Sequence, residues 1–321
     1  MKSLELQQTI EDLKAGDRLA LSKFLTHVET SDNPIELVLK LYNKAERTTP
    51  IIGVTGFPGA GKSSLINSFI SILRSKEKKI GVIAVDPSSL ISGGSLLGDR
   101  TRMEQHSSDE KVFIRSISSD GALGGLSHIS FLLSLVMATF DFDYIFVETV
   151  GVGQSESDIT KLADFSILTL APGLGDSIQA MKGGVLEIVD LILVNKSDKP
   201  ESSQTFHQLN SIIDMAQAPD GKNIKIMITN EKDREENTKI ISHIENHLEK
   251  RSKLLKNKES YLWFVRQILY EKIEKSLFDQ KIHEKLNQET FNEKDISEIV
   301  KRIIKDLRLS LIHISEPTRP Y

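Results

Sequence analysis

The sequence predicts an α/β domain built on a mainly parallel sheet, with helical extensions on both sides. Three observations carry that reading. Between about residues 50 and 230, short and continuous apolar runs alternate with helical stretches. Apolar runs without polar alternation fit strands covered on both faces, as in a parallel sheet. A glycine-rich loop sits directly between the first such run and a helical one, which is where an α/β sheet presents ligand loops. Outside this window the sequence turns charged, with apolar residues recurring every three to four positions.

In order along the chain, residues 1–48 read as a helical extension. Leu6, Ile10 and Leu13, then Leu21, Phe24, Leu25 and Val28, then Leu37, Val38 and Leu41 form one stripe. Gly16-Asp17 and Asp32-Asn33-Pro34 divide it into three short helices. Strands follow at Ile51–Thr55, Ile80–Val85, Val112–Ile114, Tyr144–Val147, Phe165–Leu170, Leu191–Val194 and Ile224–Ile228. Together with their helices they make one α/β domain over residues 49–250. Ile240, Ile241, Ile244 and Leu248 share a helix face near its end. Residues 251–310 continue as helix, with Leu262, Val265, Leu269 and Ile273 on one face and Ile296, Ile299, Ile303 and Leu307 on another. That is more apolar stripe than one short domain needs, so this arm is expected to pair two copies of the chain. Residues 311–321 break the pattern and read as a non-native tail.

Bulk composition narrows the function classes. There are 41 basic and 45 acidic residues, a formal charge of -4, which gives no electrostatic case for nucleic acid or an anionic membrane. With no cysteine, disulfides, thiolate zinc sites and iron–sulfur clusters are excluded. No apolar run is long enough for a membrane span, and the N-terminus lacks the blocks of a secretory signal. A cytoplasmic protein is expected.

Gly56-Phe57-Pro58-Gly59-Ala60-Gly61-Lys62-Ser63 matches the phosphate-loop pattern G-x-x-x-x-G-K-S, with a strand before it and a helix after it. Gly56, Gly59 and Gly61 let the backbone turn its amides toward phosphates, with Pro58, Ala60 and Ser64 completing the cradle. Lys62 reaches the β- and γ-phosphates, and Ser63 can ligate Mg²⁺. Downstream, Asn195-Lys196-Ser197-Asp198 follows a strand. The Asp198 carboxylate can accept from both N1–H and the 2-amino group of guanine, donors that adenine does not offer in that arrangement. Asn195 can tie this loop to the phosphate loop, and the Lys196 stem can lie along the base. The expected ligand is therefore Mg-GTP or GDP. Asp86, Asp99 and Glu148 stand at or after strand ends and supply oxygens suited to the ion, while the amide of Gly151 can meet the γ-phosphate. Gln154 is three places beyond Gly151, so no residue identifies itself as the one that positions water.

These segments, with several between them, resemble one family. They include Gly16-Asp17-Arg18, Val85-Asp86-Pro87-Ser88-Ser89 and Ser92-Gly93-Gly94-Ser95-Leu96-Leu97-Gly98-Asp99-Arg100-Thr101-Arg102-Met103. Gly124-Gly125-Leu126, Glu148-Thr149-Val150-Gly151-Val152-Gly153-Gln154 and Pro172-Gly173-Leu174-Gly175-Asp176 through Gly183 continue the match. The chain is similar to the MeaB/ArgK-type GTPases, the methylmalonyl-CoA mutase-associated GTPase chaperones once labelled lysine/arginine/ornithine transport ATPases. The resemblance implies a P-loop GTPase of the signal-recognition/MinD-like class with a C-terminal dimerisation arm. It implies GTP hydrolysis that gates cofactor loading of an adenosylcobalamin-dependent acyl-CoA mutase and protects or reactivates it. By position it implies Lys62, Asp99, Glu148 and Lys182 as catalytic groups, and Ser63, Asp86, Asp99 and Glu148 as the magnesium site. Two alternatives stay open: a metal-insertion GTPase, and a nucleotide-bound scaffold without turnover. One departure stands out. Where the family has a Ser-Ala type loop that supports guanine, this chain has Thr229-Asn230-Glu231, which is expected to weaken that contact.

Overall fold

The computed structural model describes residues 3–31, 33–42, 49–86, 104–106, 108–118, 128–149, 155–173, 189–216 and 224–251. The chain divides into two compact units, Met1–Lys256 and Asn257–Tyr321. All described residues belong to the first, and the expected dimerisation arm and tail lie outside them.

Three helices open the chain: α1 (Ser3–Lys14), α2 (Arg18–Glu29) and α3 (Pro34–Tyr42). Asp17 caps α2, its carboxylate accepting from the amides of Leu19 and Ala20. Then come β1 (Ile51–Thr55), α4 (Lys62–Ser75), β2 (Ile80–Asp86), β3 (Val112–Ser118), α5 (His128–Met137) and β4 (Tyr144–Glu148). The unit finishes with α6 (Ser155–Leu162), β5 (Phe165–Leu170), β6 (Leu191–Val194), α7 (Glu201–Ala216), β7 (Lys225–Ile228) and α8 (Arg234–Arg251). The seven strands form one sheet in the order β3-β2-β4-β1-β5-β6-β7. Every pairing in it is parallel.

Burial explains which strands are apolar throughout. β1, β5 and β6 are buried at every position, because helices cover both faces. On one face α4 and α8 pack against the sheet through Leu65, Phe69, Ile240 and Ile244, meeting Ile52, Val54, Phe146 and Phe165. Phe206 and Leu209 of α7 pack with Leu168, Ile192 and Val194. The α1–α3 extension buries its stripe (Ile10, Leu21, Phe24, Leu25, Val28, Val38), and α2 and α3 lie against α5. Among the described residues, no helix is long and apolar enough to cross a membrane.

The edges depart from the expected pattern. β3 runs to Ser118 rather than stopping at Ile114. Ile114, Arg115 and Ser116 are half-buried, and Arg115 pairs with Glu29 of α2, so a criterion of continuous apolar character ends too early. At the other edge β7 is exposed or half-buried along its length, since only one neighbour strand shields it. Asp86 and Glu148 prove to be the last residues of β2 and β4 themselves.

Candidate nucleotide site

The central strand β1 lies between β4 and β5, so the loop that leaves its carboxyl end is flanked by the ends of both neighbours. Val54 pairs with Glu148, which sets that carboxylate beside the start of the phosphate loop. The backbone amide of Thr149 donates to Val54 O at 3.1 Å, and its hydroxyl donates to Thr55 Oγ1 at 2.9 Å. These bonds lock the two strand ends together.

Residues 56–61 then turn into α4. A Cβ on Gly56 would meet the carbonyl oxygen of Thr169, on β5, at 2.0 Å. Gly61 has φ +90° as it opens α4, and a Cβ there would meet Asn195 Nδ2 at 2.3 Å. Neither position tolerates a side chain, for reasons of space as well as dihedral angle. The loop leads directly into the amino-terminal turn of a 14-residue helix, a favourable setting for phosphate oxygens. Lys62 is buried, and its ammonium donates to Gly56 O at 2.8 Å and Phe57 O at 3.2 Å, so it is held across the loop it serves. Pro58, Gly59 and Ser64 are exposed at the rim, while Ala60 is buried.

Ser63 Oγ donates to Glu148 Oε1 at 2.8 Å, and both side chains are buried. Two hard oxygens, adjacent and at the mouth of a phosphate loop, make a donor set that suits Mg²⁺. Ser63 and Glu148 would hold the ion, whose chemistry is to neutralise charge on the β- and γ-phosphate oxygens. The Asp86 side chain and all of Asp99, Gly151 and Lys182 lie outside the described residues, as do the segments 87–103 and 174–188.

The guanine-side loop closes over the phosphate loop from β6. Asn195 is buried, and its Nδ2 donates to Ala60 O at 2.8 Å. Its Oδ1, also buried, has no hydrogen-bond partner among the described residues, an unmet acceptor at the junction of the two loops. Lys196 adopts φ 59° and donates from Nζ to Gly59 O at 2.7 Å, laying its stem over the rim. Asp198 is exposed in the following turn. The hydrogen bond from Asn195 Nδ2 to Ala60 O is the contact between the two loops that the sequence led one to expect.

Sequence reasoning missed the brace behind this loop. The Ser197 amide donates to Thr229 O at 3.0 Å, and Asn230 Nδ2 donates to Ser197 Oγ at 2.7 Å. The Thr229-Asn230-Glu231 segment thus fastens the guanine-side loop through the Thr229 backbone and the Asn230 side chain, a role separate from the contact with the base that the sequence led one to expect to be weak. Asn237 of α8 backs this segment and reaches α4 as well. One signal was available: Asn237 is a polar residue on the apolar stripe of Ile240, Ile241 and Ile244.

Residues 21–282 match the sequence model of a family described as "Methylmalonyl Co-A mutase-associated GTPase MeaB". A Pyrococcus horikoshii protein, named only as a candidate GTPase, is 44% identical over 210 residues, covering 65% of this chain and 66% of that protein. Escherichia coli GTPase ArgK is 39% identical over 201 residues, 60% of each chain. The mouse methylmalonic aciduria type A homolog, a mitochondrial protein, is 38% identical over 200 residues, 58% of this chain and 48% of its own length. The chain thus spans less than two thirds of the length of the curated relatives it matches. Among solved structures, one titled as a LAO/AO transport system kinase superposes with a TM-score of 0.66 at 22% identity, covering 96% of this chain and 99% of that one. At that identity the likeness establishes the P-loop fold alone.

Proposed function

This chain belongs to the methylmalonyl-CoA mutase-associated GTPase family, and on that premise we propose that it is a GTP-hydrolysing chaperone of an adenosylcobalamin-dependent acyl-CoA mutase. The observation that carries the nucleotide part is the hydrogen bond from Asn195 Nδ2 to Ala60 O, which joins a guanine-reading loop to a phosphate loop. The mutase as client rests on the family and on the long segments 86–103, 148–156 and 172–184 that distinguish it from other P-loop proteins.

In this reading the loop amides and the start of α4 bind the phosphates. Lys62 would leave its two carbonyl partners to balance the β- and γ-phosphate charge, and Ser63 with Glu148 would hold the magnesium ion. A water attacks the γ-phosphorus, the bond to the β–γ bridging oxygen breaks, and GDP and inorganic phosphate leave with the water's proton on phosphate. Lys182 is proposed to stabilise the developing charge, and Asp86 and Asp99 to complete the surroundings of the magnesium ion. Gly151 would sense the γ-phosphate, so that segments 86–103 and 148–156 change with nucleotide state and report it to the client. The protein would act in the cytoplasm as a homodimer through residues 251–310.

The test is phosphate release from GTP by the purified protein, alone and with an acyl-CoA mutase encoded in the same genome. Slow turnover that the mutase accelerates, together with nucleotide-dependent co-purification, is the expected result. Turnover absent in both conditions would leave a nucleotide-bound scaffold instead.

A further inference from the structure

The first turn of α8 buries an asparagine on a face that otherwise buries isoleucine. Asn237 has no exposed surface, and Ile240, Ile241 and Ile244 follow it into the core beside α4. An amide in that place costs desolvation that an apolar side chain would not, unless every polar atom is satisfied. Here they all are. Oδ1 accepts from Thr229 Oγ1 at 2.8 Å, and Nδ2 donates both to Asn230 O and to Ser68 Oγ at 2.9 Å.

Those three partners belong to two different parts of the site. Thr229 and Asn230 form the segment that holds Ser197 of the guanine-side loop. Asn230 is itself fixed from the other side, its Oδ1 accepting the Lys232 amide at 2.9 Å. Ser68 lies on α4, the helix that presents Lys62 and Ser63. The connections therefore close a ring. It runs from α4 through Ser68, Asn237, Asn230 and Ser197 to Asn195, and returns through Ala60 to the start of α4.

We propose that Asn237 is a positioning residue for guanine recognition, holding Asp198 at a set distance from the phosphate loop through Asn230 and Ser197. This rests on the guanine-nucleotide reading above. A base whose phosphates are anchored at residues 56–63 can be read only if the carboxylate meeting its edge stays in register with that anchor. The Asn195–Ala60 bond fixes one side of the loop that carries Asp198. The chain from Asn237 fixes the other, and it starts from the same helix. Removing it leaves the phosphate contacts in place and lets the carboxylate drift.

The readout is the preference for guanosine diphosphate over inosine diphosphate, which lacks only the 2-amino group. Losing the set position of one acceptor should lower that preference about fivefold in Asn237→Ala and in Asn230→Ala, the scale of one hydrogen bond. Because both act on one loop, the double variant should lose less than the product of the two single losses. Ser68→Ala cuts only the arm to α4 and should reproduce part of the effect. A variant that merely loosened the fold would melt earlier but keep the preference, so each protein is also melted.

Two failures are distinguishable. If the unaltered protein does not prefer guanosine over adenosine diphosphate, the nucleotide reading falls, and this proposal with it. If it does, and the guanosine-to-inosine preference is unchanged in Asn230→Ala and Asn237→Ala, the positioning role is overturned. Should Asn237→Ala fail to fold, Asn230→Ala and Ser68→Ala decide, and an unchanged preference in both overturns it equally.

Discussion

Asn195 and Ala60 stand 135 positions apart in sequence, yet the asparagine amide donates to the alanine carbonyl at 2.8 Å, deep inside the protein. The same amide nitrogen occupies the space that a side chain at position 61 would need. One residue thus both fastens the guanine-side loop and requires its neighbour to be glycine.

Gly61→Ala should therefore cost nucleotide affinity twice over. The new methyl would approach Asn195 Nδ2 to 2.3 Å, and the left-handed backbone at φ +90° penalises any Cβ. Strain of about 1–3 kcal/mol at such a site predicts a loss of GDP affinity of roughly tenfold or more, measurable by calorimetry. Asn195→Ala should also weaken binding, without the strain. Unaltered affinity in Gly61→Ala would show that the two loops part when nucleotide binds.

Ser63 and Glu148 lie 2.8 Å apart and are expected to share one ion. Ser63→Ala and Glu148→Gln should each raise the magnesium concentration needed for half-maximal GTP hydrolysis. Binding of GDP measured without magnesium should change far less. If magnesium dependence is the same in all three proteins, the ion is held elsewhere.

Acid stability should depend on His243 of α8. Burial first, then the nearby charges of Lys225, His247 and Lys250, lower its pKa below the ordinary imidazole value, and the Phe165 ring packs against it. The folded state therefore holds a proton there less readily than the unfolded chain. Stability tied to this group is complete above the unfolded histidine value near 6.5 and falls as pH drops through the lower folded value. Thermal melts between neutral and mildly acidic pH should show that decline, and His243→Phe should flatten it. An equally steep decline in the variant would assign the effect to other groups.

Phe69 of α4 is fully buried, with its ring 6.3 Å from that of Phe146 on β4. Phe69→Ala should cost about 3–5 kcal/mol of stability and loosen the helix that carries Lys62. Denaturant unfolding measures the first effect. A cost below about 1 kcal/mol would mean that the core collapses around the gap.

What could be read from the sequence follows from where each residue's partners lie. β1, β5 and β6 are covered on both faces, so their apolar runs end where the strands end. β3 and β7 border the sheet; the mixed faces of β3 hid its true extent, whereas β7 was placed to within one residue. Gly56 to Ser63 act through consecutive backbone positions and announced themselves. Asn237 acts through Ser68, 169 positions away, and through two residues on a loop whose motif had no recognised form. Nothing local marks such a contact beyond one polar residue on an apolar stripe.

Arg18 and Glu29, at opposite ends of α2, both reach β3, the outermost strand of the sheet. The Arg18 guanidinium donates to the carbonyls of Glu110 and Val112, and Glu29 pairs with Arg115. Lys111 O, between those two carbonyls, already accepts from Ile80 of β2. Alternation therefore turns the carbonyls of Glu110 and Val112 toward the open side. An open parallel border of this kind is a template on which another chain can extend a sheet. Arg18 occupies both of those carbonyls, so the amino-terminal helices should oppose self-templated pairing at this border. Truncating them would be felt first as loss of solubility during expression, before any question of nucleotide arises.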